Sequence, residues 1–227
     1  MSFSLNQSAY VPDTTEYRHG YNSISNVCFV NAPEDANFSR CAMLYGGDRY
    51  RFYCFKGSSH DTFYQFAWNG SAYEYGYENI IPELSITGLP FDADCSKFAI
   101  LHDGEDYRLF VRKLGAAVLY QCAWDGSFYT FGYKSIEELP LTGFPADADL
   151  SRWDMLHDGS TYRLYCMSYT CPTTLYQGAF SAESSSYEFG HQSIPKITLT
   201  ENPESTTYSD IAMLHDGSDY RLYIPSA

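Results

Sequence analysis

The chain has no run of about 18 apolar residues, so nothing in it reads as a transmembrane helix. Basic residues are also scarce: 14 Lys and Arg stand against 28 Asp and Glu, a formal net charge of −14. Nucleic acid and anionic membrane surfaces are thereby set aside as partners, because both recruit clustered cations. The opening MSFSLNQSAYVPD lacks a basic region followed by an apolar stretch, so no signal peptide is read there. No CxxC pair occurs among Cys28, Cys41, Cys54, Cys95, Cys122, Cys166 and Cys171, and their number is odd. They read as small buried hydrophobes in a reducing, cytoplasmic compartment rather than as a disulfide framework or a metal knuckle. Charged residues reach only 19%, which excludes a disordered chain and a coiled coil.

What is abundant is aromatic: 22 Tyr and 15 Phe in 227 residues. Such side chains favour strands and fill flat packing layers. They are also periodic. LYGGDRYRFY at Leu44 returns as LHDGEDYRLF at Leu101, LHDGSTYRLY at Leu156 and LHDGSDYRLY at Leu214, at intervals of 57, 55 and 58 residues. A second block starts at Phe63 (FYQFAWNGSAYEYGYENI), Leu119 (LYQCAWDGSFYTFGYKSI) and Leu175 (LYQGAFSAESSSYEFGHQSI). Its fourth copy begins at Leu5 as LNQSAYVPDTTEYRHGYNSI. A third block, PEDANFS, LPFDADCS, FPADADLS and NPESTTYS, precedes each Leu motif.

Each copy holds four short strand-like pieces, in the second KFAILHD, YRLFVRK, LYQCAWD and FYTFGY. Asp-Gly and Asn-Gly pairs between them supply the positive φ of tight hairpins. Four antiparallel meanders of about 55 residues predict an all-β fold, a single four-bladed β-propeller domain over residues 1–227. With KFAILHD innermost, the chain opens with the outer strands of one blade, near Leu5–Ala9 and Tyr17–Tyr21. It ends with that blade's inner strands, Ile211–Asp216 and Tyr220–Ile224, so the two termini close the ring by sharing a blade. The D-A-D-x-S piece between blades is expected to cap a short helical turn.

The repeat D-x-A/D-x-L-x-D-G-x-x-Y-R-x-Y resembles the hemopexin-type repeat over essentially the whole chain. The resemblance implies a four-bladed disc with an axial channel, in which backbone carbonyls hold an ion. By position, the metal ring would be Ala42, Ala99, Asp154 and Ala212, with Ca²⁺ or another cation on the axis and the Asp154 carboxylate beside it. The resemblance further implies binding of proteins or other ligands rather than chemistry. The chain departs from that family in having no cysteine near either end to tie the first and last blades.

Other recurring residues invite a functional reading. His102, His157 and His215 stand beside Asp103, Asp158 and Asp216, where the first copy has Tyr45 and Gly46. Their repetition at one turn points to Asp holding the Gly turn while His packs nearby. Arg51, Arg108, Arg163 and Arg221 are expected to pair with the Asp residues of the D-A-D connectors, or to line an anion site. Gln7, Gln65, Gln121 and Gln177 are expected to link blades by hydrogen bonds. Asp92/Asp94 and Asp147/Asp149 resemble fragments of a calcium loop without its Gly or its terminal Glu. Asp154 breaks an alanine position and is read either as a cation ligand or as a partner of Arg152. Trp68, Trp124, Tyr10 and Phe180 occupy one repeat position, where an aromatic can stack on a sugar or seal a blade contact. No unique nucleophile–base–acid set stands out. The residues therefore suggest a non-enzymatic ligand- or protein-binding module. A multivalent carbohydrate-binding propeller is the alternative, and an enzyme using Asp154 at a central pocket the second alternative.

Overall fold

In the computed structural model, which describes residues 4–22 and 26–225, strands make up every regular element but one three-residue 3₁₀ turn, Tyr77–Asn79. The chain begins with β1 (Ser4–Val11), β2 (Glu16–His19) and β3 (Asn26–Val30). Unit I follows as β4 (Ala36–Tyr45), β5 (Tyr50–Lys56), β6 (Thr62–Trp68), β7 (Tyr73–Tyr75) and β8 (Glu83–Thr87). Unit II is β9 (Ala93–His102), β10 (Tyr107–Lys113), β11 (Val118–Trp124), β12 (Tyr129–Phe131) and β13 (Glu138–Thr142). Unit III is β14 (Ala148–His157), β15 (Tyr162–Ser168), β16 (Thr174–Ser181), β17 (Ser186–Phe189) and β18 (Lys196–Thr200). The last strands are β19 (Ala212–His215) and β20 (Tyr220–Pro225). Because β20 pairs antiparallel with β1, from Leu5↔Pro225 to Ala9↔Arg221, these two join β1, β2 and β3 as unit IV.

Each unit is an antiparallel meander of its first four strands, and each contains a fifth strand that the hairpin signals did not reveal. In unit I the third strand is long enough to hold two partners. Its first half pairs with β8 (Thr62↔Ser85 to Tyr64↔Glu83) and its second half with β7 (Phe66↔Tyr75 to Trp68↔Tyr73). The fifth strand also pairs in parallel with the fourth strand of the next unit: β8 with β12, β13 with β17, β18 with β2, and β3 with β7. These pairings lead from unit to unit and return to the start, giving one ring-like sheet. Parallel pairing across each boundary leaves no open strand edge between units.

The first strands β4, β9, β14 and β19 pack beside one another round the axis. The hairpin after each is closed as expected. Asp103 N–H donates to Asp106 O across a turn in which Gly104 takes φ 98°, and Gly46 and Gly47 repeat the arrangement in unit I. The D-A-D-x-S pieces form no helical turn. They lie in the extended first strands, at register shifts between Asn37 and Cys41, beside Asp94 opposite Val111/Arg112, and between Asp149 and Trp153. The Asx side chain accepts the amide N–H two residues on (Ser39, Ser96, Ser151), which stabilises a bulge where a cap was expected.

The core divides into four apolar layers, each between two adjacent units. Phe55, Phe63 and Ile86 of unit I meet Phe98, Val111 and Tyr129 of unit II, for example, and the other boundaries repeat this. Strands buried on both faces explain why the sequence shows near-continuous aromatic and aliphatic runs rather than alternation. Five cysteines, Cys41, Cys54, Cys95, Cys122 and Cys166, lie in these layers as free thiols. Cys28 and Cys171, by contrast, are exposed.

Candidate binding clefts and the ring axis

The axis is filled by side chains. Met43, Ile100, Met155 and Met213 help to line a gap of only about 10 Å³, room for at most one water. Ala42, Ala99, Asp154 and Ala212 lie on the four first strands, all buried. Asp154 does not pair with Arg152, whose Nε goes instead to Asp149 at 2.7 Å. Its two oxygens accept the backbone N–H groups of Met155 (2.8 Å) and Met213 (2.6 Å). Close by, the buried Lys97 ammonium donates to Cys41 O and Ile211 O, both at 2.6 Å, and lies 2.9 Å from Asp210 Oδ1. Burial pushes the Asp154 carboxyl up to about 8, against the pull of Lys97 and of the two amides. Burial likewise raises Asp210; burial alone would lower Lys97, but the acidic groups beside it, Asp210 foremost, hold it above its ordinary value. The axis thus carries a cation of its own. Among the described residues no group of three or more His, Cys, Asp or Glu gathers as a metal set.

The open space lies between units. Four clefts, with volumes of about 360, 350, 270 and 240 Å³, sit one at each boundary. One template builds them. The leading unit supplies the Arg of its second strand, the aromatic two residues on, and the Gln of its third strand. The following unit supplies the Tyr that opens its second strand, the aromatic at the end of its third strand, and the Tyr that opens its fourth. Between units I and II these are Arg51, Tyr53, Gln65, Tyr107, Trp124 and Tyr129. Between III and IV they are Arg163, Tyr165, Gln177, Tyr220, Tyr10 and Tyr17. Between IV and I they are Arg221, Tyr223, Gln7, Tyr50, Trp68 and Tyr73. Between II and III, Arg108, Gln121, Tyr162, Phe180 and Tyr187 line the cleft, and Phe110 stands at the remaining position. Ser23 and Ile24, part of the fourth copy's Tyr-Gln block, lie outside the described residues.

Local contacts hold these side chains in place. The arginines do not reach the D-A-D carboxylates, because a nearer acceptor is offered by the Asp of the preceding turn. Arg108, Arg163 and Arg221 place Nε 2.5, 2.6 and 2.5 Å from Asp103, Asp158 and Asp216. Each also donates through Nη1 to a backbone carbonyl of its own unit: Lys134, Gln192 and Asn22. Those three residues sit at positive φ, a conformation that aims the carbonyl at the guanidinium. Each Asp additionally accepts a hydroxyl from the next unit: Tyr162 on Asp103, Tyr220 on Asp158 and Tyr50 on Asp216. Burial alone would raise these carboxyls, but turn amides and the arginine outweigh it and hold all three well below the usual range. The histidines beside them pack at a tilt against Tyr107, Tyr162 and Tyr220 with ring centroids 4.4–4.6 Å apart, a packing role.

Gln7, Gln121 and Gln177 link elements within their own unit, where links between units were expected. Gln177 Nε2 donates to Tyr165 Oη at 2.6 Å and Gln7 Nε2 to Tyr223 Oη at 2.5 Å. The Gln121 and Gln177 carbonyls accept the amides of Ile136 and Ile194. Of the connector carboxylates, Asp35, Asp92 and Asp147 accept the hydroxyls of Tyr64, Tyr120 and Tyr176, a structural tie rather than half a calcium loop. Sequence reading missed the tyrosines at 17, 73, 129 and 187, and at 53, 165 and 223. Their signal was present, since they recur at two repeat positions, the first in all four copies and the second in three, with Phe110 in the remaining one.

No family model matches the chain, and no curated protein does. Lectins are among the similar solved structures. The SapL1 lectin in complex with α-methyl fucoside is 13% identical, with a TM-score of 0.38, over 84% of this chain and 56% of that one. The Aleuria aurantia lectin in complex with Fucα1-6GlcNAc is 13% identical, with a TM-score of 0.39, over 93% and 68%. The fucose-specific lectin from Aleuria aurantia in a mercury-derivative form is 13% identical, with a TM-score of 0.42, over 93% and 67%. A further structure of that lectin is described as a six-bladed β-propeller. This chain spans just over half the length of the first and about two thirds of the others.

Proposed function

We propose that the four units are the blades of a four-bladed β-propeller and that the chain binds glycans multivalently through the clefts between blades. The observation that carries this is the four-fold recurrence of one cleft template: an arginine fork, a glutamine amide and aromatic walls. A sugar offers exactly what such a wall and such donors address, an apolar ring face and a rim of hydroxyls. The volumes lie near the lower end of those of small-ligand clefts. Repetition turns a weak single site into an avid surface when the target displays many copies.

The same geometry disfavours an enzyme. Asp154, the residue read as a central catalytic group, is sealed from solvent with both oxygens taken by backbone amides. It is not presented to a substrate. The hemopexin-like axial cation would have to share its space with Lys97. Ca²⁺ therefore ranks below glycans as a ligand to test.

The test is calorimetric titration of methyl glycosides, paired with agglutination of glycan-coated beads. The expected result is more than one sugar per chain, approaching four, with agglutination that free sugar reverses. Saturation at one ligand per chain, or no heat with any glycoside, would overturn the reading. A melting temperature that rises with Ca²⁺, and no longer does so in Asp154→Ala, would instead place a cation on the axis.

A further inference from the structure

The four clefts are not alike, and the exception lies between units I and II. In the other three turns an aspartate receives both the arginine Nε and the next unit's tyrosine hydroxyl. At the equivalent place in unit I stands Gly46, while both donors are retained. A Cβ on Gly46 would lie 3.4 Å from Tyr107 Oη, 3.7 Å from Arg51 Cζ and 3.4 Å from Asp48 Oδ1, so hydroxyl and guanidinium still face the point from which a carboxylate would extend, with the Asp48 carboxylate at its side. Among the described residues Arg51 Nε is buried without a hydrogen-bond partner. Asp48 lies 3.6 Å from Arg51 Nη2 and is held closer by Arg49 at 3.2 Å. Glu78 lies 2.8 Å from the same Arg49 guanidinium, which the two carboxylates share. Of the four clefts, this one is lined by carboxylates, Asp48 and Glu78, and by a second arginine, Arg49.

From this geometry we infer that the cleft between units I and II takes a carboxylate from its ligand, and that the glycan bound there is a uronic acid rather than a neutral sugar. The inference rests on the glycan reading above. The ligand's carboxylate takes the place of the aspartate that the other turns carry, accepting from Arg51 Nε and Tyr107 Oη. A guanidinium edge with one free N–H beside a hydroxyl suits a carboxylate better than a sugar hydroxyl, because both bonds become charge-assisted. A buried donor left unpaired by a neutral sugar would penalise that alternative.

The experiment titrates methyl glucuronide, methyl glucoside and acetate into the wild-type chain and into Gly46→Asp. Gly46 is not in the left-handed region, and its tightest neighbours are ends of side chains, so aspartate is accommodated. The expected result is one glucuronide per wild-type chain bound at least tenfold more tightly than glucoside and displaced by acetate. Gly46→Asp should abolish that preference and leave glucoside binding at the other clefts unchanged. Tyr107→Phe, which leaves the backbone alone, should lower the preference by about threefold or more. Glucoside filling four clefts with no preference for glucuronide would overturn this inference while the glycan reading stands. Acetate binding that Gly46→Asp removes, with no sugar bound, would overturn the glycan reading and the uronide with it, leaving only a carboxylate subsite. A glucuronide preference that persists in Gly46→Asp would overturn the assignment to this cleft.

Discussion

Axis and clefts are built from successive strands of the same units, and they use charge in opposite ways. On the axis Lys97, Asp210 and Asp154 are desolvated and held by the protein itself, Lys97 by Asp210 and two backbone carbonyls and Asp154 by two backbone amides. In the clefts Arg108, Arg163 and Arg221 keep one edge on a turn carboxylate, and all four arginines stand among tyrosine rings, 13–18% exposed. A ring of repeats closes tightly where four strands converge and splays where their outer halves diverge. Polar groups near the axis therefore become structural, and the same chemistry further out becomes available to a ligand.

The largest effect that sharpens this contrast is expected from Lys97→Met. It leaves Asp210 buried without its partner and should cost roughly 3–5 kcal/mol in urea unfolding, with cleft occupancy in the folded fraction unchanged. Loss of sugar binding without loss of stability in that variant would break the division between axis and clefts.

Asp158→Gly should turn an ordinary cleft into a copy of the Gly46 cleft. Freed of its carboxylate, Arg163 and Tyr220 should bind glucuronide, raising the uronide stoichiometry from one to two. Stability should fall by about 1–3 kcal/mol for the lost charged bonds. A stoichiometry that stays at one would show that Gly46 is not the deciding residue.

Trp124→Ala removes one wall of a single cleft and its contact with Tyr129, whose ring centroid lies 5.3 Å away. It should weaken sugar at that cleft by about tenfold while costing about 1 kcal/mol of stability. Titration would then show one fewer strong site.

A pH slope distinguishes the two regions without any substitution. The Asp154 carboxyl titrates near 8 in the folded ring but near 3.9 in an unfolded chain. Between those values the folded state holds a proton that the unfolded chain has released. This contribution is complete below about pH 4 and declines as pH rises toward 8. Melting temperature should fall across that window, and Asp154→Asn should flatten the fall. Asp103, Asp158 and Asp216 act in the opposite sense, adding stability above about pH 4 that is lost on further acidification.

Much of this was legible from the repeat itself. LHDGxxYRLY marks the first two strands and their turn, and the Tyr-Gln block marks the next two. The terminal strands share a unit because the copies are out of phase with the chain ends. The fifth strand was not legible. ELSIT, ELPLT and KITLT are short, lie in what reads as a connector, and find their parallel partners in a different repeat. The arginine pairing was misassigned for a related reason. Sequence names Asp103 and Asp94 as equally acidic, and only the turn geometry puts Asp103 within 2.5 Å of Arg108.

Composition and period by themselves determined the class of fold, the number of copies and which positions recur, because a repeated pattern of aromatics and Gly turns admits few solutions. Only the tertiary structure decided that Lys97, 113 residues from Asp210, would close the axis, and that arginine and tyrosine from adjacent repeats would face one point. Those meetings depend on how units are inclined to one another about the ring. That inclination is set by apolar layers contributed by both neighbours, which no single copy of the repeat encodes.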